Sequence, residues 1–323
     1  MMLIDFHFEG GGRSQAVSAL QRLYPSYSVP RRLLKALNAF NQLSFRLPVQ
    51  ARGQLAVLQA QLPALSAGQT RSVLLHKIQQ NHRAYVFDQD RTDALTTVTK
   101  VAFSDAASQG LHREAQALNL LAGRPDFRIP ELLSYKTWEG GGMLEMSAIP
   151  DDFRIHDKRR PVPDALFEAI LSLRGAESPV ALPADQIGGW QSAQSRTRNP
   201  VIRRMAAGIQ GDELFEVAAA HRDLGSENLL SRHPAVDASD FSLIDWEFYS
   251  ETAPVLTDQV SLWLGRRHRA FKGRRKPAIG ALTEAFITDF GDTRGGPRAA
   301  VLALLHLAAM GNDLACILVG EEK

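Results

Sequence analysis

The chain has one cysteine, no long apolar run and almost no excess of either charge, and each shortage excludes something. Cys316 alone cannot close an intrachain disulfide, so nothing indicates an oxidising compartment. It lies in the apolar run from Ala315 to Val319 and is read as core. No stretch approaches the roughly 20 apolar residues that span a bilayer. The longest, Ala299 to Met310, is short and carries His306. The opening residues, Met1 to Gly12, lack a basic region followed by an apolar stretch, which removes the usual case for a secretory signal. Lys plus Arg number 37 against 35 Asp plus Glu. No bulk field therefore favours nucleic acid or a strongly acidic partner, and any electrostatic preference must be local. A soluble, cytoplasmic protein is the default expectation.

What is present has a globular balance: 323 residues, 45% hydrophobic and 22% charged. That length suggests about two compact units. Residues 1–70 read as an amino-terminal helical extension. After Pro30, Leu33, Leu34, Leu37, Phe40 and Leu43 recur at helical spacing over Arg31 to Phe45, opposite a basic and polar face. A second helical stretch, Gln54 to Leu65, is broken by Pro63, and Ser66 to Gln69 reads as a linker. Gly10 to Gly12 reads as a flexible turn, because no strand, loop and helix of phosphate-cradle spacing surrounds it.

From Ser72 the texture changes to β-branched and aromatic runs, Ser72 to Ile78, Ala84 to Phe87 and Leu95 to Phe103, which suggest an antiparallel meander. A helix follows from Ala107 to Leu121, with Leu111, Ala115, Leu118 and Leu121 along one face. Pro130 to Tyr135 and Met143 to Ile149 are strand-like, joined by a turn at Glu139 to Gly142. These elements make residues 71–146 a small unit. Residues 147–323 form a larger one, mainly helical apart from short runs around Ala218 to Leu230 and Phe241 to Phe248. The expected class is α+β.

The most informative segment is Ala218 to Leu230, where Asp223 stands five residues before Asn228 between apolar flanks. Asp245 follows seventeen residues later, in SLIDWEFY. Singly, each of these residues also fits an ordinary turn or strand end. In order, they offer a carboxylate for an acceptor hydroxyl, then an amide and a carboxylate able to hold magnesium, as phosphoryl transfer from ATP requires. The phosphates also need a cation upstream. Lys100, at the end of the strand Thr96 to Val101, is suitably placed, and Glu114 on the next helix can pair with it and fix its rotamer.

With these residues in view, the stretch from about Ser72 to Trp263 resembles the kinase-like phosphotransferases, the group of aminoglycoside phosphotransferases, choline kinases and related sugar and lipopolysaccharide kinases. Its anchors are His221, Asp223 and Asn228 in HRDLGSEN, then Ile244, Asp245, Trp246 and Glu247 in IDWE. The resemblance implies a two-lobed protein-kinase-like fold: a small lobe with an antiparallel sheet and one helix, a larger helical lobe, ATP between them, and the amino-terminal helical segment added. It implies Asp223 as the catalytic aspartate, Asn228 and Asp245 as Mg2+ ligands, Lys100 and Glu114 as the phosphate-anchoring pair, and Glu145 and Met146 on the strand that receives adenine. The implied activity is transfer of the γ-phosphate of ATP to a hydroxyl of a small molecule or glycan. A protein kinase and a catalytically silent nucleotide-binding protein are the alternatives.

Two departures from the family pattern stand out. Gln79 to Arg83 contains no glycine for close approach to phosphates, and Arg222 stands where small-molecule members often have glycine. The histidines lack metal-site spacing. The basic run Arg266 to Lys276 leaves contact with an anionic substrate or a membrane surface open, although such runs are more often solvated. Only Trp246 to Thr257 separates Asp245 from Asp258, too short for the peptide platform of protein kinases. Asp258 is expected to buttress the catalytic loop.

Overall fold

The computed structural model describes residues 4–9, 49–76, 83–92, 94–175, 177–225, 227–267, 279–293 and 295–320. The chain divides into two compact units, Met1–Asn119 with Pro130–Asp151, and Leu120–Ile129 with Asp152–Lys323.

The first unit runs β1 (Ile4–Glu9), α1 (Val49–Gln61), β2 (Thr70–His76), β3 (Arg83–Gln89), β4 (Leu95–Ala102), α2 (Asp105–Leu121), β5 (Leu132–Trp138) and β6 (Gly141–Ser147). Its strands form one antiparallel sheet in the order β1-β2-β3-β4-β6-β5. Leu58 of α1 packs with Val73, Ala84, Val86, Val101 and Met143. Because successive strand residues point to opposite faces, Lys100 lies on the face away from Val101. There α2 meets it: Ser104 accepts the Ala107 N–H at 3.3 Å and Asp105 occupies the first turn, two ordinary helix-starting devices.

The predicted strands and the α2 helix appear within a few residues of their expected bounds. Three features differ. Residues 1–70 are not purely helical, since β1 pairs with β2 and extends the sheet. Residues 120–129 belong to the second unit, and the first continues to Asp151 rather than ending at 146. Gly141 and Gly142 are strand residues, and only Gly140, with φ 74°, sits in the turn. A Cβ on Gly141 would come within 2.7 Å of the Ala102 carbonyl oxygen, so close strand packing is its role. The expected helix Arg31 to Phe45, the Gly10 to Gly12 tract and positions 79–82 of the glycine-free loop lie outside the described residues.

The second unit contains β7 (Arg154–Ile155), α3 (Asp164–Leu171), β8 (Val180–Pro183), α4 (Trp190–Arg196), α5 (Pro200–Ala207), β9 (Leu214–Ala220), β10 (Leu229–Ser231), β11 (Phe241–Leu243), β12 (Ser250–Pro254), α6 (Thr257–Arg266), α7 (Ile279–Asp289), α8 (Gly296–Ala309) and α9 (Asp313–Val319). Two three-stranded sheets, β11-β10-β7 and β12-β9-β8, frame the loops that matter. The core centres on α8, where every residue from Ala299 to Ala308 is buried. A helix apolar on all sides is an interior helix, and truncating a residue such as Leu304 would cost about 2–5 kcal/mol. Cys316 is buried beside it, as expected. No helix among the described residues is long and apolar enough to cross a membrane.

Candidate active site

His221 to Asn228 links β9 to β10, and its start is clamped from α6. Both oxygens of Asp258 accept main-chain N–H groups, from His221 and Arg222, each at 2.8 Å. Asp258 is buried, which pushes its pKa up, while the neighbouring His221 and the two N–H bonds oppose that shift. The buttressing role expected of it matches this geometry. His221 is fully buried, with Nε2 2.9 Å from the Ile244 carbonyl and Nδ1 3.3 Å from the Asp223 N–H. These partners call for a proton on Nε2 and a lone pair on Nδ1. The ring therefore ties the loop carrying Asp223 to the strand end preceding Asp245. Trp246, fully buried with its ring 4.6 Å from His221 and its Nε1–H donating to Leu243, backs the arrangement.

Asn228 Nδ2 donates to the Asp223 carbonyl at 2.9 Å and to Asp223 Oδ2 at 3.0 Å. Two consequences follow from that orientation. Asp223 Oδ1 takes no hydrogen bond from the described residues, and the Asn228 side-chain oxygen is turned away from Asp223 as a donor for a cation. Asp223 is raised to about 7, chiefly by burial and then by the negative charge of Asp245; the Asn228 bond lowers it, and Glu227 and Glu247 raise it slightly. A carboxyl poised there can take up a proton near neutral pH.

This donor set suits a divalent cation. Asn228 and Asp245 present hard oxygens of the kind Mg2+ prefers, and a cation there would relieve the repulsion that Asp245 exerts on Asp223. Among the described residues no group of three or more His, Cys, Asp or Glu could hold a metal alone. An octahedral ion would therefore complete its shell with phosphate oxygens and water.

Sequence reasoning missed the work of Arg222. Arg222 and Asp245 are the two non-glycine residues with left-handed backbone among the described residues, at φ 66° and 70°. Arg222 donates through Nε to the Phe248 carbonyl, and through its terminal nitrogens to the Tyr249 carbonyl at 3.3 Å and His306 Nε2 at 3.5 Å. His306 on α8 donates from Nδ1 to the Gly188 carbonyl at 2.9 Å, and burial pushes its pKa down to about 4. The neutral ring thus accepts from the guanidinium. Partners 84 residues apart leave no local signal in the sequence.

In the first unit, Lys100 Nζ lies 2.8 and 2.7 Å from the two oxygens of Glu114, whose side chain is fully buried. The pair expected from sequence is formed. Glu145 and Met146 lie within β6, between β4 and β5, which directs their main-chain groups to neighbouring strands. Glu145 accepts from the Ser134 hydroxyl at 3.0 Å, and Met146 is buried.

No family model and no curated protein matches the chain. Solved structures do resemble it. One is macrolide 2'-phosphotransferase MphH from Brachybacterium faecium, apoenzyme, at 13% identity and a TM-score of 0.47 over 85% of this chain and 99% of that one. Another is the GDP and kanamycin complex of APH(2")-IIia, at 13% identity and 0.46 over 84% and 96%. A third is aminoglycoside phosphotransferase APH(3'')-Id from Streptomyces rimosus with ADP and streptomycin, at 16% identity and 0.40 over 81% and 99%. They fall in the group that the sequence resembles.

Proposed function

We propose that the chain is an ATP-dependent phosphotransferase acting on a hydroxyl of a small molecule or glycan. One observation carries the reading: Asp223 sits with a raised pKa and an unbonded Oδ1, held by Asn228 and beside Asp245, on a loop clamped by Asp258.

In this reading Asp223 Oδ1 orients the acceptor hydroxyl and takes its proton as the phosphoryl group transfers. Asn228 and Asp245 hold Mg2+. When bound, the ion neutralises phosphate charge. Lys100 anchors phosphate oxygens, and Glu114 fixes its position from the buried side of the sheet. Adenine is assigned to the exit of β6 that Glu145 and Met146 mark.

The connection from Asp245 to Asp258 favours a compact acceptor over a peptide. Residues 246–248 form a single 3-10 turn, and β12 then pairs with β9 before α6 begins at Thr257. Nothing in that stretch remains to form a peptide platform.

The test is transfer of labelled phosphate from ATP to aminoglycosides, amino alcohols, sugars and glycan precursors, beside generic protein substrates. We expect labelling of a small acceptor. Asp223→Asn should lower turnover by about two to four powers of ten with little change in nucleotide affinity. Asp245→Ala should lose magnesium-dependent ATP binding. Efficient labelling of proteins alone would make this a protein kinase. Nucleotide binding without turnover on any acceptor would make it a silent binding protein.

A further inference from the structure

The turn that follows β7 carries three cations, and β7 itself is joined to the strand that follows Asn228. The His156 N–H donates to the carbonyl of Leu229, the residue after Asn228, at 2.8 Å, and β7 pairs with β10 just before it. The chain then turns at Asp157 to Arg160, with the Arg160 N–H bonded to the Asp157 carbonyl at 2.8 Å. Arg266, at the end of α6, donates to the Arg160 carbonyl at 2.6 Å, and the Arg160 guanidinium donates to His233 Nε2 at 3.1 Å. Lys158, Arg159, Arg160 and Arg266 are thereby gathered at one turn.

Three other arginines of this unit are neutralised: Arg232 by Asp152, Arg267 by Asp289 and Arg298 by Glu213, at 2.5–2.6 Å. Among the described residues none of the four gathered cations forms an ion pair. Asp157 is the acidic neighbour; it accepts the Arg159 N–H and feels the charges of Arg159 and Arg160. The charge of Arg266 reaches His156, whose pKa is lowered first by burial and then, against the Arg160 backbone bond, by Arg266. Positive charge gathered at a surface favours a bound anion. Arg159 and Arg160 are exposed, so their charge is accessible.

Resting on the phosphotransferase reading, we propose that the turn at Lys158, Arg159 and Arg160, with Arg266 and His233, is an anion subsite for a phosphate- or pyrophosphate-bearing acceptor. Guanidinium forks match phosphate oxygens two at a time, and the pairing of β7 with β10 ties the turn to the strand that follows Asn228. The subsite disfavours polycationic acceptors, so it separates this chain's substrate class from the kanamycin and streptomycin of the complexes described above.

The test uses the full chain and inorganic pyrophosphate, without divalent cation, by titration calorimetry. We expect saturable binding that weakens about tenfold or more in Arg159→Gln/Arg160→Gln, with Arg266→Gln acting in the same direction. Arg298→Gln, at a paired arginine outside the turn, should leave it unchanged. Equal affinity in the parent and the double variant, or an equal loss through Arg298→Gln, overturns the subsite. A second arm uses sedimentation with phosphatidylglycerol vesicles. Sedimentation that pyrophosphate competes away supports a lipid-borne source of the same group, and saturable pyrophosphate binding without sedimentation supports a soluble one. Sedimentation with no saturable pyrophosphate binding overturns the subsite in favour of a membrane-facing surface. Because neither arm needs turnover, pyrophosphate binding in a chain that transfers no phosphate would refute the phosphotransferase and leave the subsite standing.

Discussion

Replacing His306 with glutamine should remove an acid-sensitive part of the second unit's stability. In the native chain the ring is held neutral, at about 4 against an ordinary 6.5, because burial disfavours its charged form. A histidine lowered in the folded state contributes stability that is fully present above pH 6.5 and is lost as pH falls towards 4, where the unfolded chain binds the extra proton. That separation corresponds to about 3 kcal/mol lost between pH 7 and pH 4. Glutamine can reproduce the neutral ring's two bonds, its amide donating to Gly188 and its oxygen accepting from Arg222, without a group that titrates. Urea unfolding of the parent and His306→Gln across pH 4.5, 5.5 and 7 reads the difference. Carboxylates titrate equally in both proteins and cancel. The parent should lose about 2–3 kcal/mol more than the variant over that range. Parallel stability curves would refute the reasoning, because they would mean that the ring has no lowered pKa to lose.

Asp258→Ala takes the acceptor from the buried N–H of His221, at about 1–3 kcal/mol, and from the half-buried N–H of Arg222, at less. Thermal unfolding should register that loss, and Asp258→Asn, which keeps one acceptor, should lose less of it while turnover still falls. Lys100→Met breaks the buried pair with Glu114, a change of about 3–5 kcal/mol. A double-mutant cycle with Glu114→Gln should show strong coupling in both stability and turnover, and strictly additive effects would mean that the two residues act separately. Arg222→Gly relieves roughly 1 kcal/mol of backbone strain but removes the bonds to Phe248, Tyr249 and His306. We expect kcat to fall about tenfold or more with little change in KM for ATP, and Arg222→Lys to rescue only part of it, since a lysine lacks the fork. An unchanged kcat in Arg222→Gly would make the arginine a bystander.

How much of this was legible in the sequence depended on whether the cause was local. β4 announces itself through β-branched residues from Thr96 to Val101, and α2 through apolar residues at helical spacing, because each pattern is set by the face the element buries. Asp223, Asn228, Asp245, Lys100 and Glu114 were legible as a spaced set, and two of the contacts they imply are present at hydrogen-bond distance. β1 was missed although Ile4, Phe6 and Phe8 alternate, since one short alternating run has no partner in view until Thr70–His76 pairs with it. β7, β8 and β12, at two to five residues each, two of them ending in proline, are too short for periodicity to show.

The non-local parts of the site share a different signature. Arg222 and Asp245 take backbone conformations that their side chains disfavour, and they stand at the residue before Asp223 and at the proposed metal ligand itself. Local propensity fails there because tertiary bonds outweigh it. Asp258 holds the main chain of Arg222, while His221 takes the carbonyl of Ile244, the residue before Asp245. A left-handed residue reverses the chain's direction within one position, which lets a main chain held by α6 send Arg222 towards Tyr249 and His306 while Asp223, the next residue, is held by Asn228. Glycine would adopt the same turn with less strain but would bring no side chain to the carbonyls of Phe248 and Tyr249. The strain at position 222 is therefore the consequence of using one residue both to turn the loop and to fasten it to the segment after Asp245.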